Sequence, residues 1–229
     1  MSPKQWEVVY AGRMSAAAKQ TGRAAPRGRM DKRQAILAAA FDVFARRGYA
    51  QAGVDEVAAE AGVAKATVYN HFGDKETLLR EAIAASAEEA TAKNLAAVER
   101  LVDSGGDPRE LLEDVGFRLI QCYCDEQSWA LRRLLYAELA HLPDLLEIVQ
   151  VRASARVRQA LADRLARLAL AGRLRITDPD AAVEQLSALL TGPLEARAEW
   201  GTRRLSAAEM RQVATAAIDT FLHAFGSRA

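Results

Sequence analysis

Apolar residues recur along this chain at helical spacing in segment after segment, and most segments are bounded by residues that start or stop a helix. Ile36, Leu37, Ala40, Phe41 and Phe44 form one stripe, the recurrence expected of a helix with one buried face. Asp31 suits its start and Gly48 its end, which predicts a helix over 31–47. Two short helices follow, over about 54–61 and 65–72, with Gly62 between them. Gly73 breaks the second, and Asp74 caps a long helix whose apolar face is Leu78, Leu79, Ala82 and Ile83.

Asp107-Pro108-Arg109-Glu110 supplies an Asp N-cap, a Pro at the first helical position and a Glu at the third. Leu111, Leu112, Val115, Leu119 and Cys122 then share a stripe. A helix is predicted over 128–140, and one long helix over 144–171 that ends near Gly172. Asp178-Pro179 opens another, which Gly192-Pro193 should kink. Ser206-Ala207-Ala208-Glu209 reads as a capping box for a last helix reaching Phe225. The pattern yields about nine helices and no strand, an all-α fold.

Composition agrees. Half of the 229 residues are hydrophobic (50%), enough for a core, while aromatics are only 6% and Ala, Leu, Arg and Glu dominate. Charge changes the picture more. The net charge is +1, yet residues 1–47 hold ten basic side chains against three acids. A basic end on a near-neutral chain suits a polyanionic partner, although a solvated tail explains it as well. Residues 1–29 show no sustained periodicity and read as a disordered basic extension; Met14 and Met30 are alternative starts. Cys122 and Cys124 are too few for a secreted disulfide framework. No apolar run approaches the roughly 18 residues that span a membrane, and no secretion signal is visible, so the expected location is cytoplasmic.

The informative segment is Val54 to Phe72. Two helices of about two turns must cross steeply over a short turn. Ala58 is small where they approach, Gly62 suits a left-handed helix end, and Val57, Val63, Val68 and Phe72 provide a shared core. The outer face of the second helix is then Lys65, Ala66, Thr67, Tyr69, Asn70 and His71. Hydrogen-bonding groups and a cation behind a small-residue start are what a recognition helix in a major groove requires. Taken singly, Tyr69 also reads as a half-buried surface aromatic and His71 as a structural histidine.

From Lys32 to Leu79 the chain resembles the TetR/AcrR family of transcriptional regulators. The resemblance rests on Ile36-Leu37-x-x-Ala40-x-x-x-Phe44-x-x-x-Gly48-Tyr49, Val57-Ala58-x-x-Ala61-Gly62-Val63, Thr67-Val68-Tyr69-x-His71-Phe72 and Asp74-Lys75-Glu76-x-Leu78-Leu79. It implies that Lys65, Ala66, Thr67 and Asn70 face bases or adjoining backbone, and that Tyr69, His71 and Lys75 clamp phosphates. Gly53 and Ala64 depart from it, since a Ser or Thr usually starts each short helix. Ala64 forgoes a cap typically worth ~1 kcal/mol.

The resemblance further implies a helix-turn-helix domain over 30–76 and a helical effector-binding and dimerisation domain over 77–229. One reading unit buries too little surface for selective binding, so a homodimer on a palindromic operator is expected. Val183, Leu186, Leu189, Leu190 and Leu194 with Val213, Ala216, Ala217, Thr220 and Phe221 are candidates for its interface. The same stripes equally suit packing within one protomer. Phe117, Cys122, Tyr123, Trp129, Leu135, Tyr136 and His141 are candidates for lining an effector pocket for an apolar or amphipathic molecule. Each also suits ordinary core packing. Arg132 and Arg133 read as solvated surface before they read as anion ligands, and the cysteines as small hydrophobes before oxidant sensors.

The expected function is a repressor released from double-stranded operator DNA by a small molecule, with no membrane partner. The alternatives are a helical interaction module without DNA binding and an all-helical enzyme. His71, His141 and His223 show no metal-ligand spacing, and no phosphate loop or nucleophile elbow is present. No catalytic residue, metal or cofactor is expected.

Overall fold

The computed structural model describes residues 27–102 and 106–227. From Ala35 onward they belong to one compact unit. The described residues hold nine α-helices: α1 Arg27–Arg47, α2 Val54–Glu60, α3 Lys65–Phe72, α4 Lys75–Glu99, α5 Pro108–Tyr123, α6 Glu126–Glu138, α7 Ala155–Leu170, α8 Pro179–Arg197 and α9 Ala207–Phe225. A π-helical stretch, Glu147–Ser154, leads into α7, and a 3₁₀ turn, Glu199–Gly201, follows α8. An isolated bridge joins Leu174 and Gly226.

Local signals set most boundaries. Asp74 accepts from the Thr77 amide at 2.7 Å and starts α4. Asp107 accepts from the Arg109 amide at 3.0 Å, with Pro108 in the first turn of α5. Asp178 caps α8 through the Ala181 amide, and the helix runs on through Pro193. Gly48, Gly62, Gly73 and Gly172 each follow a helix at positive φ. Three boundaries differ from expectation. Helix α1 starts at Arg27 rather than Asp31; the rest of the basic extension lies outside the described residues. Helix α6 starts early because Asp125 accepts from the Ser128 amide at 2.6 Å. The long helix over 144–171 is wound as π over Glu147–Ser154, so α7 proper begins at Ala155.

Two buried clusters hold the fold together. The first joins α1, α2 and α3 to the N-terminal half of α4, and continues through Leu131, Leu134 and Leu135 of α6 to Leu142, Leu145 and Ala153. The second is built by α5, α7, α8 and α9, with Val98 and Leu101. Val183, Leu186, Leu190, Val213, Ala217 and Phe221 belong to this second cluster and are at most 4% exposed in a single protomer. The stripe expected at the dimer interface is therefore spent on the protomer's own core. Periodicity marks a face as buried without saying what covers it.

Helix α9 carries the full capping box: the Glu209 amide donates to Ser206 Oγ at 3.3 Å and the Ser206 amide donates to Glu209 Oε2 at 2.8 Å. Hydrogen bonds from the Ser206 backbone and hydroxyl, helped by Arg203, hold the Glu209 carboxyl down at about 2 against an ordinary 4.5. A carboxylate depressed on folding contributes stability that is complete above its unfolded pKa and is lost as pH falls through the folded one. The start of α9 should therefore loosen between pH 4.5 and about 2. Carbon-detected NMR of the Glu209 carboxyl should show a midpoint near the lower value, with a smaller exchange protection factor in acid for the Ser206 amide, which donates to that carboxylate. An unshifted midpoint would mean that the box is open in solution.

Candidate functional site

Helices α2 and α3 are locked across a tight turn. Ala61 N–H donates to the Val57 carbonyl at 2.9 Å, and Val63 N–H reaches back to the Ala58 carbonyl at 2.9 Å while Gly62 takes φ +65. Val57, Ala58, Val68 and Phe72 are buried, which fixes the rotation of α3 about its axis. That rotation leaves Lys65, Ala66, Tyr69 and Asn70 exposed, with Thr67 and His71 half-buried. No side-chain cap hydrogen bond forms at Gly53 or Ala64, where the hydroxyls usual in the resembling family are missing.

The cations around this face are tethered. Lys65 Nζ lies 2.8 Å from Asp55, whose hydrogen bond pushes the ammonium pKa up. Arg46 pairs with Glu60 at 2.8 Å and Glu56 at 3.3 Å, and Arg47 with Glu56 at 3.3 Å. Partial desolvation would raise the Glu56 carboxyl; the two arginine hydrogen bonds outweigh it and hold it low. Lys75 Nζ sits 4.6 Å over the Tyr49 ring and donates to the Ala50 carbonyl at 3.4 Å. These pairs are at the surface, where ion pairs are worth little, so phosphate oxygens compete for them readily.

A second feature lies farther along the chain. A cavity of about 470 Å³, open to solvent on one side, is lined by α4, α5, α6, α8, the π-helical stretch and the start of α7. Cys122, Tyr123, Leu135 and Tyr136 of the expected pocket residues line it. So do Val183 and Leu190, whose side chains were expected at a dimer interface. Phe117, Trp129 and His141 do not line it. Phe117 lies two positions before Leu119, which does, and two positions turn a helix by about 200°; its ring packs instead under the Arg211 guanidinium at 4.1 Å. Trp129 stands edge-on to Tyr123 at 5.6 Å and lines a separate hollow of about 410 Å³ with Cys124 and Arg133. His141 is exposed in the turn after α6.

The residue that sequence reasoning misplaced is Arg132. Its guanidinium is stacked 3.8 Å from the Tyr123 ring centroid and 4.0 Å from that of Trp129, and Nη2 donates to the Tyr123 carbonyl. Burial pushes its pKa below the ordinary guanidinium value. Arg133, by contrast, is exposed. Burial also raises the Tyr123 hydroxyl to about 12 and both cysteine thiols above their usual range. Raising a thiol disfavours the thiolate, the form that reacts with oxidants.

Residues 36–82 match the family of bacterial regulatory proteins called tetR, and residues 110–227 match the C-terminal domain of AefR-like transcriptional repressors. The chain belongs to the TetR family. A TetR-family regulator from Mesorhizobium loti superposes with a TM-score of 0.81 at 29% identity, covering 88% of this chain and 100% of that one. The flavonoid-responsive regulator FrrA superposes with a TM-score of 0.69 at 26% identity, over 86% of this chain and 98% of its own. The transcriptional activator FasR of Mycolicibacterium smegmatis is 49% identical over 47 residues, 20% of this chain and 22% of FasR. The chain spans less than a third of the length of the curated relatives it matches. Among the described residues of this TetR-family chain, no helix is long and apolar enough to cross a membrane.

Proposed function

We propose that this protein is a cytoplasmic, non-catalytic regulator of transcription, a homodimer that represses by binding palindromic operator DNA through α3 and is released by a small amphipathic molecule in the 470 Å³ cavity. The observation that carries this reading is the division of α3: Val68 and Phe72 are buried, while Lys65, Ala66, Tyr69 and Asn70 form an outward face. Lys65, Ala66, Thr67 and Asn70 meet base edges and adjoining backbone. Tyr69, His71 and Lys75 hold phosphates on either side. Repression, rather than activation, is supported by the match to a repressor C-terminal domain, and a small-molecule effector by the name of the similar regulator FrrA.

Dimerisation uses the faces of α8 and α9 that the protomer leaves exposed, among them Ala188, Gly192, Ala196, Gln212, Ala216 and Thr220. Coupling runs through packing. Ala87, Leu131, Leu135 and Ala153 line the cavity and also belong to the buried cluster that seats α2 and α3. Arg80 of α4 binds Asp144, just before the π-helical wall, at 2.6 Å. A ligand that favours one arrangement of these walls shifts α4, and with it the spacing of the two recognition helices, from the ~34–36 Å that successive major grooves demand.

Footprinting on the DNA upstream of the protein's own coding sequence tests the reading. Two protected half-sites about one helical turn apart are expected. Affinity should fall steeply with salt. Absence of protection, with binding indifferent to salt, would leave a helical interaction module as the better account.

A further inference from the structure

The charged residues lining the cavity are both arginines, Arg132 and Arg158, and no described aspartate or glutamate lines it. Arg46, Arg80, Arg109, Arg118 and Arg156 all pair with carboxylates. Arg132 has no such partner among the described residues. Its Nε is buried without any acceptor. The Glu195 carboxylate is engaged by the Tyr123 hydroxyl at 3.3 Å rather than by Arg132.

A guanidinium remains protonated even where burial depresses its pKa. A largely desolvated charge with no direct ion pair is costly, and the protein offsets part of that cost by seating the guanidinium in the corner between the Tyr123 and Trp129 rings, which stand at 79° to each other, and by the field of the nearby Glu195 carboxylate. Two consequences follow for any occupant. An anion whose head reaches Arg132 gains a charge-assisted hydrogen bond in a low-dielectric site and offsets a cost that the empty protein already bears. A cation meets repulsion, and the Tyr123 face that would otherwise hold an ammonium is already covered by Arg132.

We propose that the cavity is selective for organic anions: molecules with a carboxylate or sulfonate head that pairs with Arg132, and a hydrocarbon or aromatic body among Leu131, Leu135, Leu139 and Leu161. Arg158, exposed at the lining, adds long-range attraction for the same charge. The inference rests on the effector reading of this cavity and narrows it; it does not depend on DNA binding.

A matched probe pair separates charge from shape. 1-Anilinonaphthalene-8-sulfonate and N-phenyl-1-naphthylamine share one ring system and differ in the sulfonate. In fluorescence titrations of the full chain, the sulfonate should bind at least about tenfold more tightly, consistent with a charge-assisted pair. Arg132→Gln should abolish that preference while affinity for the neutral amine changes less than threefold. Ser187→Phe, which fills the cavity from α8, should remove both. Equal affinity of the two probes for the wild-type chain overturns anion selectivity and leaves the effector cavity standing. This comparison needs no variant, so it decides even if Arg132→Gln fails to fold. Failure of both probes to bind, or sulfonate binding that survives Ser187→Phe, overturns the effector cavity itself. Tighter binding of dodecyltrimethylammonium than of dodecyl sulfate overturns the sign of the charge.

Discussion

Replacing Tyr69 with alanine is expected to weaken binding to the operator by about a hundredfold and to leave the fold intact. The ring is 43% exposed and belongs to neither buried cluster, so its loss opens no cavity. Its proposed partner is a phosphate, and a hydrogen bond to a charged group is worth about 1.5 kcal/mol or more. A symmetric dimer loses two such contacts, about 3 kcal/mol, and each 1.4 kcal/mol is tenfold. Phosphates carry no sequence information, so the loss should be the same on the operator and on point-mutated versions of it. Tyrosine is also uncharged, which leaves the salt dependence unchanged, whereas Lys75→Gln should flatten it. Anisotropy titrations over a range of salt concentrations measure all three. Wild-type affinity in Tyr69→Ala would mean that another surface meets the DNA.

Adding a single carbon at Gly201 is expected to cost several kcal/mol of stability. A Cβ there would lie 2.6 Å from Cγ and Cδ2 of Trp129, and Gly201 sits at φ +84. The two preceding residues, Glu199 at φ 48 and Trp200 at φ 58, already occupy the left-handed region that side chains avoid. Trp129 has little room to retreat, because Tyr123 packs against it at 5.6 Å and Arg132 lies over its ring. Left-handed strain of ~1–2 kcal/mol and overpacking of ~1–3 kcal/mol place Gly201→Ala at about 2–5 kcal/mol. For a chain of this size that lowers the melting temperature by roughly 10 °C. Gly53→Ala is the control, since its added carbon meets only the Asp55 amide, at 4.0 Å, and its φ of −99 suits any residue. It should change stability by less than about 1 kcal/mol. Thermal unfolding followed by circular dichroism compares the two; a Gly201→Ala protein that melts with the wild type would show that the turn gives way rather than the indole. The same variant should disturb anion binding, because Trp129 forms one wall of the seat of Arg132.

The nine α-helices were legible because their determinants are local. Asp74, Asp107, Asp178 and Ser206 each sit within three residues of the amide they cap. The recognition helix was legible for the same reason: Gly62, Val63, Val68 and Phe72 lie within eleven consecutive positions and settle by themselves which face of α3 turns outward. The early start of α6 was missed because the apolar stripe begins after its cap, Asp125. The π-helical stretch left no trace in apolar spacing.

By itself, then, the sequence determined where helices begin and end, which side of each is apolar, and that a short helix with a polar outer face follows a glycine turn. What covers each apolar face was decided only when distant segments met. Val183, Leu186 and Phe221 are enclosed by other helices of their own protomer rather than exposed for a second copy. Arg132 reads as surface in one dimension and becomes a stacked interior charge once Tyr123 and Trp129 close over it. Periodicity is a property of one helix, whereas burial and the electrostatic environment of a charge belong to the several helices packed around it.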